Sequence, residues 1–156
     1  MSSAMPKETL FFGADHGGVI LKDRLVAWVK AQHPSLPVTD LGTHGPDSVD
    51  YPDIALNLAR RVVAENACGV LVCGTGNGMA MTANKVAGIR AALAYNRFTG
   101  EMAKAHNHAN VLCMGGRTTT YEDAVAALQA WLETKVEAGR HNRRVAKILE
   151  LDRKPL

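Results

Sequence analysis

The sequence is short of cysteines, aromatic residues and long apolar runs, and each shortage excludes a class of protein. Its 156 residues include three cysteines, and 5% of them are aromatic. The cysteine count is odd and contains no CxxC spacing, so we expect free thiols in a reducing compartment and a cytoplasmic protein. No segment approaches the about 18 apolar residues of a membrane span, and no signal-peptide stretch opens the chain, so no membrane partner is expected.

Charge of one sign is also scarce. Eighteen basic and fifteen acidic residues give a formal net charge of +3, which is too small to predict a nucleic-acid partner. The chain is 47% hydrophobic and 21% charged, which excludes wholesale disorder. This length fits one domain, which can bury a sizeable core without disulfide or metal support.

Short apolar runs alternate with amphipathic stretches along the whole chain. The runs predict strands over 9–14, 36–41, 69–73, 89–95 and 111–114. The stretches between and after them predict helices over 19–31, 52–66, 79–85, 98–106, 121–137 and 142–151, with Val62 and Val63 both facing inward. This alternation predicts an α/β protein with a five-stranded parallel sheet, a three-layer α/β/α Rossmann-like fold.

Polar clusters follow three of the predicted strands. Asp15-His16 comes after the first strand, Cys73-Gly74-Thr75-Gly76 after the third, and Gly115-Gly116-Arg117 after the fifth. Ligands of open parallel sheets bind beyond the carboxyl ends of the strands. The three clusters therefore predict a site at this edge of the sheet.

The segment 73–78, Cys-Gly-Thr-Gly-Asn-Gly, is the most informative of these clusters. Its alternate glycines let backbone N–H groups approach a ligand, which fits a phosphate cradle, an oxyanion hole or a simple tight turn. It matches neither a dinucleotide-binding fingerprint, because Met79 replaces the third glycine, nor a P-loop. At the mouth of this loop, Cys73 would be stabilised as a thiolate and could act as nucleophile or base. Cys68 and Cys113 have no such loop and are expected to pack in the core.

Two further groups lie in the second half of the chain. His106-Asn107-His108 ends a predicted helix, and no cysteine or carboxylate is evident to complete a metal site, so we favour one catalytic histidine with an accessory asparagine. Arg140 and Arg144 lie four residues apart, which fits either a phosphate clamp or a solvated basic face. With the Asp15-His16 pair and a thiolate base, these groups suit proton abstraction beside a carbonyl on a phosphorylated small molecule.

An ordered set of motifs now identifies a resemblance. The set is Asp15-His16-Gly17-Gly18, Asp50-Tyr51-Pro52, Cys73 to Gly78, Ala83-Asn84-Lys85, Gly88-Ile89-Arg90-Ala91, His106-Asn107 and Gly139-Arg140-His141. From about Leu10 to Leu149 the chain resembles the type B ribose-5-phosphate isomerases of the ribose/galactose sugar-phosphate isomerase family. The resemblance implies interconversion of ribose 5-phosphate and ribulose 5-phosphate through a cis-enediolate, a step of the pentose phosphate pathway, with no metal and no organic cofactor.

The resemblance also implies a role for each matching residue. Cys73 would move the proton between C2 and C1, Thr75 would shuttle protons on the oxygens, and His106 with Asp15 nearby would open the sugar ring. Backbone N–H groups of the loop would hold the enediolate oxygen, and six side chains would bind the sugar or its phosphate. The loop residues are Gly74, Gly76, Asn77 and Gly78, and the binding residues are His16, Tyr51, Asn107, Arg117, Arg140 and Arg144.

Members of this family act as homodimers or tetramers with a site shared between subunits, so we expect the C-terminal helix to pack on a partner copy. The domain would span 8–156, and the extension over 1–7 has no family counterpart and is expected to be disordered. One branch of the family lacks the cysteine and uses a glutamate just after the glycine loop. Here Met79 holds that place and Cys73 is present, which favours a thiolate mechanism.

Two other functions remain open from the sequence. Relatives within the family isomerise the six-carbon sugar phosphates allose 6-phosphate or galactose 6-phosphate, the latter as two-subunit enzymes. The non-enzymatic alternative is a nucleotide-binding module built on the glycine loop. The absence of the third glycine of the dinucleotide-binding fingerprint argues against it.

Overall fold

The computed structural model describes residues 9–153. The expected disorder over 1–7 lies outside the described residues. Five parallel strands form one sheet in the order β2-β1-β3-β5-β4, which confirms the predicted fold class. The strands are β1 (Leu10–Ala14), β2 (Val38–Asp40), β3 (Cys68–Cys73), β4 (Ala91–Leu93) and β5 (Val111–Gly115).

Six helices accompany the strands in the described part of the chain. They are α1 (Val19–Gln32), α2 (Tyr51–Ala64), α3 (Asn77–Ala83), α4 (Arg97–Ala105), α5 (Tyr121–Glu133) and α6 (Arg140–Glu150). The helix predicted over 121–137 ends four residues early, because Thr134 turns to extended backbone at φ −76° and ψ 139°. No helix within residues 9–153 combines the length and the apolar character needed to cross a membrane.

Successive strand residues point to opposite faces of the sheet, and this alternation builds two cores. On one face the even-numbered residues of β1 and β5, such as Phe12 and Met114, pack with α1, α4 and α5. On the other face the odd-numbered residues, such as Phe11 and Cys113, pack with α2 and α3. Because both faces are covered, the central strands are continuous apolar runs. Cys73 faces the α2 and α3 layer.

Two further details of the sequence prediction are wrong. The strand expected over 89–95 is only three residues long, and its residues are partly exposed because β4 lies at the edge of the sheet. Val63 was expected to face inward but is 44% exposed, whereas Val62 is buried. Adjacent residues of a helix point about 100° apart, so the two valines cannot both face the sheet.

Helices α4 and α5 pack closely at Gly100. A Cβ at this position would overlap the backbone carbonyl of Ala127, which belongs to α5. The missing side chain therefore lets α4 lie directly against α5.

Gly100→Ala is expected to destabilise the protein by about 1–3 kcal/mol, although alanine usually stabilises a helix interior by about 0.5–1 kcal/mol relative to glycine. Overpacking wins because the obstacle is backbone rather than a flexible side chain. Urea denaturation would measure the change, with Glu101→Ala on the same helix as a control near zero. Greater stability of the Gly100 variant would contradict the close packing.

Candidate active site

The ends of β1, β3 and β5 bring the three predicted polar clusters together. Ala14 pairs with Val72, and Cys73 pairs with Gly115, so the strands end side by side. The loop after β5 is tied to the loop after β3, because the Gly116 N–H donates to the Cys73 carbonyl at 2.7 Å. The carboxyl ends of β1, β3 and β5 thus form one crevice at the end of the sheet where the strands finish (the carboxyl edge).

Cys73 is placed with its sulfur beneath the glycine loop. The Gly76 N–H donates to Cys73 Sγ at 3.1 Å, and the residue is 5% exposed. Gly76 has a φ of +84°, a left-handed conformation that favours glycine and that turns its N–H back toward the sulfur. A backbone donor directed at the sulfur fits a cysteine that handles protons.

The other two cysteines have different surroundings. Burial raises the pKa of Cys113, and Cys73 beside it acts in the same direction. Burial also raises the pKa of the partly exposed Cys68, despite Lys104 and Arg90 nearby. Both therefore remain neutral thiols at pH 7, in keeping with packing roles.

The glycines of the loop admit neighbouring side chains. A Cβ at Gly78 would overlap the ring of Tyr51, and a Cβ at Gly74 would lie 3.1 Å from the guanidinium of Arg117. Thr75 is exposed, and its Oγ1 accepts the Asn77 N–H at 3.3 Å. Tyr51 and Arg117 therefore flank the loop that covers Cys73, and the exposed Thr75 belongs to that loop.

Asp15 and His16 stand on the neighbouring strand end. Asp15 is buried and its Oδ1 accepts the Gly17 N–H at 2.9 Å, while the exposed His16 accepts the Val49 N–H on Nδ1 at 3.3 Å. A Cβ at Gly17 would lie 3.2 Å from Gly74 N, which places this turn against the Cys73 loop.

A cavity of about 450 Å³ opens beside His16 and Arg117. Two of its lining residues, Arg24 and Thr119, were missed by sequence reasoning. The Thr119 hydroxyl is buried without a hydrogen-bond partner among the described residues, and Arg24 lies 3.8 Å over the ring of Tyr121. Three basic side chains at one cavity fit an anionic group such as a phosphate. For Arg24 the only sequence signal is its place two helical turns after Gly17.

His106 and Asn107 lie at the opposite end of the sheet, where the strands begin (the amino edge). Helix α4 starts beyond the carboxyl end of β4 and runs back, so its last residues reach the edge where β5 begins. There Asn110 links the strand starts, since its carbonyl accepts the Gly69 N–H at 2.9 Å and its side chain accepts the Arg90 N–H at 2.8 Å. A strand of five or six residues is roughly 17–20 Å long. Within one chain, Asp15 is therefore not near His106.

The amino edge also carries the two arginines expected to bind phosphate. Arg140 and Arg144 are exposed on α6, which begins beside His106. The His141 ring stacks on the His106 ring, with centroids 4.1 Å apart and planes 7° apart. The predicted residues thus fall into two groups, one at each edge of the sheet.

One expectation about this edge needs correction. His106 does have a carboxylate and a second histidine beside it, since ligand atoms of His106, Glu137 and His141 all lie within 4.8 Å of one another. Neither partner could be found by spacing, because Glu137 was assigned to a helix and His141 lies 35 residues away. Imidazole nitrogens bind metals in the plane of the ring, at about 2.0–2.1 Å for zinc. Two parallel stacked rings cannot both point at one ion, so this arrangement fits proton handling better than a metal.

Comparisons with known proteins point to one family. Residues 10–148 match the model of the ribose/galactose isomerase family. The ribose-5-phosphate isomerase B of Escherichia coli is 38% identical over 144 residues, which cover 92% of this chain and 95% of that protein.

Two solved structures resemble the whole fold. The ribose-5-phosphate isomerase B of Clostridium thermocellum is 40% identical with a TM-score of 0.89, covering 93% of this chain and 97% of that one. The enzyme of Mycoplasma genitalium, solved with bound ribulose 5-phosphate, is 36% identical with a TM-score of 0.89 and covers 94% and 97% of the two chains.

Proposed function

This chain belongs to the ribose/galactose isomerase family, and we propose that it interconverts ribose 5-phosphate and ribulose 5-phosphate with Cys73 as the base. The observation that carries the proposal is the Gly76 N–H on the Cys73 sulfur, at the junction of three strand ends. The match in family, length and fold supports an isomerase of sugar phosphates.

The thiolate of Cys73 removes the proton from C2 of the open-chain aldose and returns it to C1. The electron pair of the broken C–H bond moves into a cis-enediolate, whose negative oxygen is held by N–H groups of Gly74 to Gly78. Thr75, exposed at the mouth of the loop, moves protons between the two oxygens. No electron leaves the sugar, so the step needs no oxidant or reductant.

His106 opens the furanose ring by taking the proton of the C1 hydroxyl and returning a proton to the ring oxygen. Asn107, next to it and exposed, hydrogen-bonds the sugar oxygens. Since these residues lie a strand length from Cys73, one chain cannot supply both steps to one substrate. We therefore propose a homodimer in which His106 and Asn107 of one copy complete the site of the other, with α6 packed on the partner.

The phosphate binds between the two copies. His16 and Arg117, with Tyr51 lining the sugar, belong to the carboxyl edge of one chain, and Arg140 and Arg144 come from the amino edge of the other. Arginine pairs suit a dianion because each guanidinium can donate two parallel hydrogen bonds. The three free thiols suit a reducing compartment, and we propose the cytoplasm.

A coupled assay for ribulose 5-phosphate formation from ribose 5-phosphate tests the function. We expect turnover with the five-carbon substrate to exceed that with allose 6-phosphate or galactose 6-phosphate. Faster turnover of a six-carbon sugar phosphate would reassign the substrate within the family. If no sugar phosphate reacts but an adenine nucleotide binds tightly, the isomerase proposal fails.

A further inference from the structure

The carboxylate of Glu137 lies between two imidazoles at the amino edge of the sheet. Its Oε2 is 3.5 Å from His106 Nε2 and 3.2 Å from His141 Nε2. The side chain of His141 is 8% exposed and that of His106 is 36% exposed. The same ring nitrogen of both histidines therefore faces one carboxylate, while Nδ1 of each faces elsewhere.

The backbone of Glu137 is fixed to the same turn. Its N–H donates to the Ala105 carbonyl at 2.9 Å, and its carbonyl lies 2.9 Å from His108 Nε2. The connection between α5 and α6 is thus held on both sides of His106, so the carboxylate keeps its position relative to that ring.

We propose that Glu137 is a positioning residue for His106: with the stacked His141, it holds the imidazole in one orientation with the proton on Nε2, leaving Nδ1 to exchange a proton with the sugar. The proposal rests on the proposed function, in which His106 opens the ring. A carboxylate oxygen repels a nitrogen lone pair and attracts an N–H, so it selects the tautomer protonated on the nearer nitrogen.

The surroundings of His141 favour the neutral form of its ring. Burial lowers the pKa of His141, as do His106, Arg140 and Arg144, against the opposing effect of Glu137. The neutral His141 serves as a flat surface that limits rotation of its neighbour.

Glu137→Ala removes the carboxylate and keeps the backbone contacts. We expect kcat with ribose 5-phosphate to fall about tenfold, part of the 10²–10⁴-fold that general acid–base catalysis supplies. Turnover of 4-deoxyribose 5-phosphate should stay within about twofold of the unmutated protein, because that sugar lacks the oxygen needed to close a furanose. In ¹⁵N NMR spectra, neutral His106 should change from the Nε2–H form to a mixture of tautomers.

Two further variants complete the test. Glu137→Gln keeps an oxygen beside Nε2 and should fall between the unmutated protein and the alanine variant, and Glu150→Gln, an exposed carboxylate of α6, should change nothing. An equal loss with both sugars, or an unchanged tautomer in the alanine variant, would overturn the positioning role. Stoichiometric zinc binding that Glu137→Ala abolishes would overturn it too, by assigning the cluster to a metal. If the unmutated protein turns over neither sugar, the proposed function itself fails.

Discussion

Cys73→Ala is expected to lower isomerisation of ribose 5-phosphate by about 10³-fold or more while leaving the fold and substrate binding largely intact. The variant removes the base proposed to take the C2 proton, and a positioned base contributes about 10²–10⁴-fold. The phosphate-binding side chains and the loop glycines are unchanged. Loss of one buried sulfur costs on the order of 1 kcal/mol, too little to unfold a domain of this size.

Steady-state kinetics and calorimetric binding of ribose 5-phosphate would separate catalysis from affinity. Cys113→Ala is a matched control, because it removes a buried sulfur from the same α2 and α3 face. That control should keep activity within about twofold at a similar cost in stability. Near-normal turnover in the Cys73 variant would refute the assignment of the base.

The second large effect is recovery of activity from two inactive variants. Cys73→Ala and His106→Asn, made separately, should each be nearly inactive on ribose 5-phosphate. Co-expressed, they should form mixed dimers with one site that holds both Cys73 and His106 and one that holds neither. Random pairing makes half of the dimers mixed, so about a quarter of the wild-type activity should return.

A second mixture controls for non-specific stabilisation. Arg117 lies at the same edge as Cys73, so Cys73→Ala combined with Arg117→Ala leaves no site with an intact carboxyl edge. This mixture should recover nothing. Equal recovery from both mixtures, or none from either, would contradict a site shared between copies.

Local patterns predicted the part of the site that is local in sequence. Asp15, Cys73 and Gly115 end apolar runs, and neighbouring parallel strands bring such ends together, so this crevice followed from the strands. The glycine loop was likewise visible, because a left-handed residue such as Gly76 leaves a composition signal.

The amino edge was less accessible from sequence. His106 and His141 are 35 residues apart in the sequence, and their contact depends on the loop between α5 and α6. The sequence pattern predicted a helix up to residue 137, so it did not indicate where this loop begins. The helical sequence pattern continues after Glu133, but the backbone leaves the helix at Thr134. The loop that follows brings Glu137 to His106. Short edge strands are also poorly marked, as β4 shows, because packing rather than propensity sets their ends.

Helix α4 runs back from the carboxyl edge of the sheet to its amino edge, so the two groups of site residues can be changed by mutation independently of each other. Neither group shares a side chain with the other, so damage to one leaves the other usable by a partner. After a gene duplication, one copy could keep Cys73 and the other His106, and a mixed pair would still contain one working site. A relative of this chain that lacks one of these residues and carries no substitute for it, such as the glutamate after the glycine loop, is therefore expected to work with an obligate partner chain rather than to be a dead enzyme.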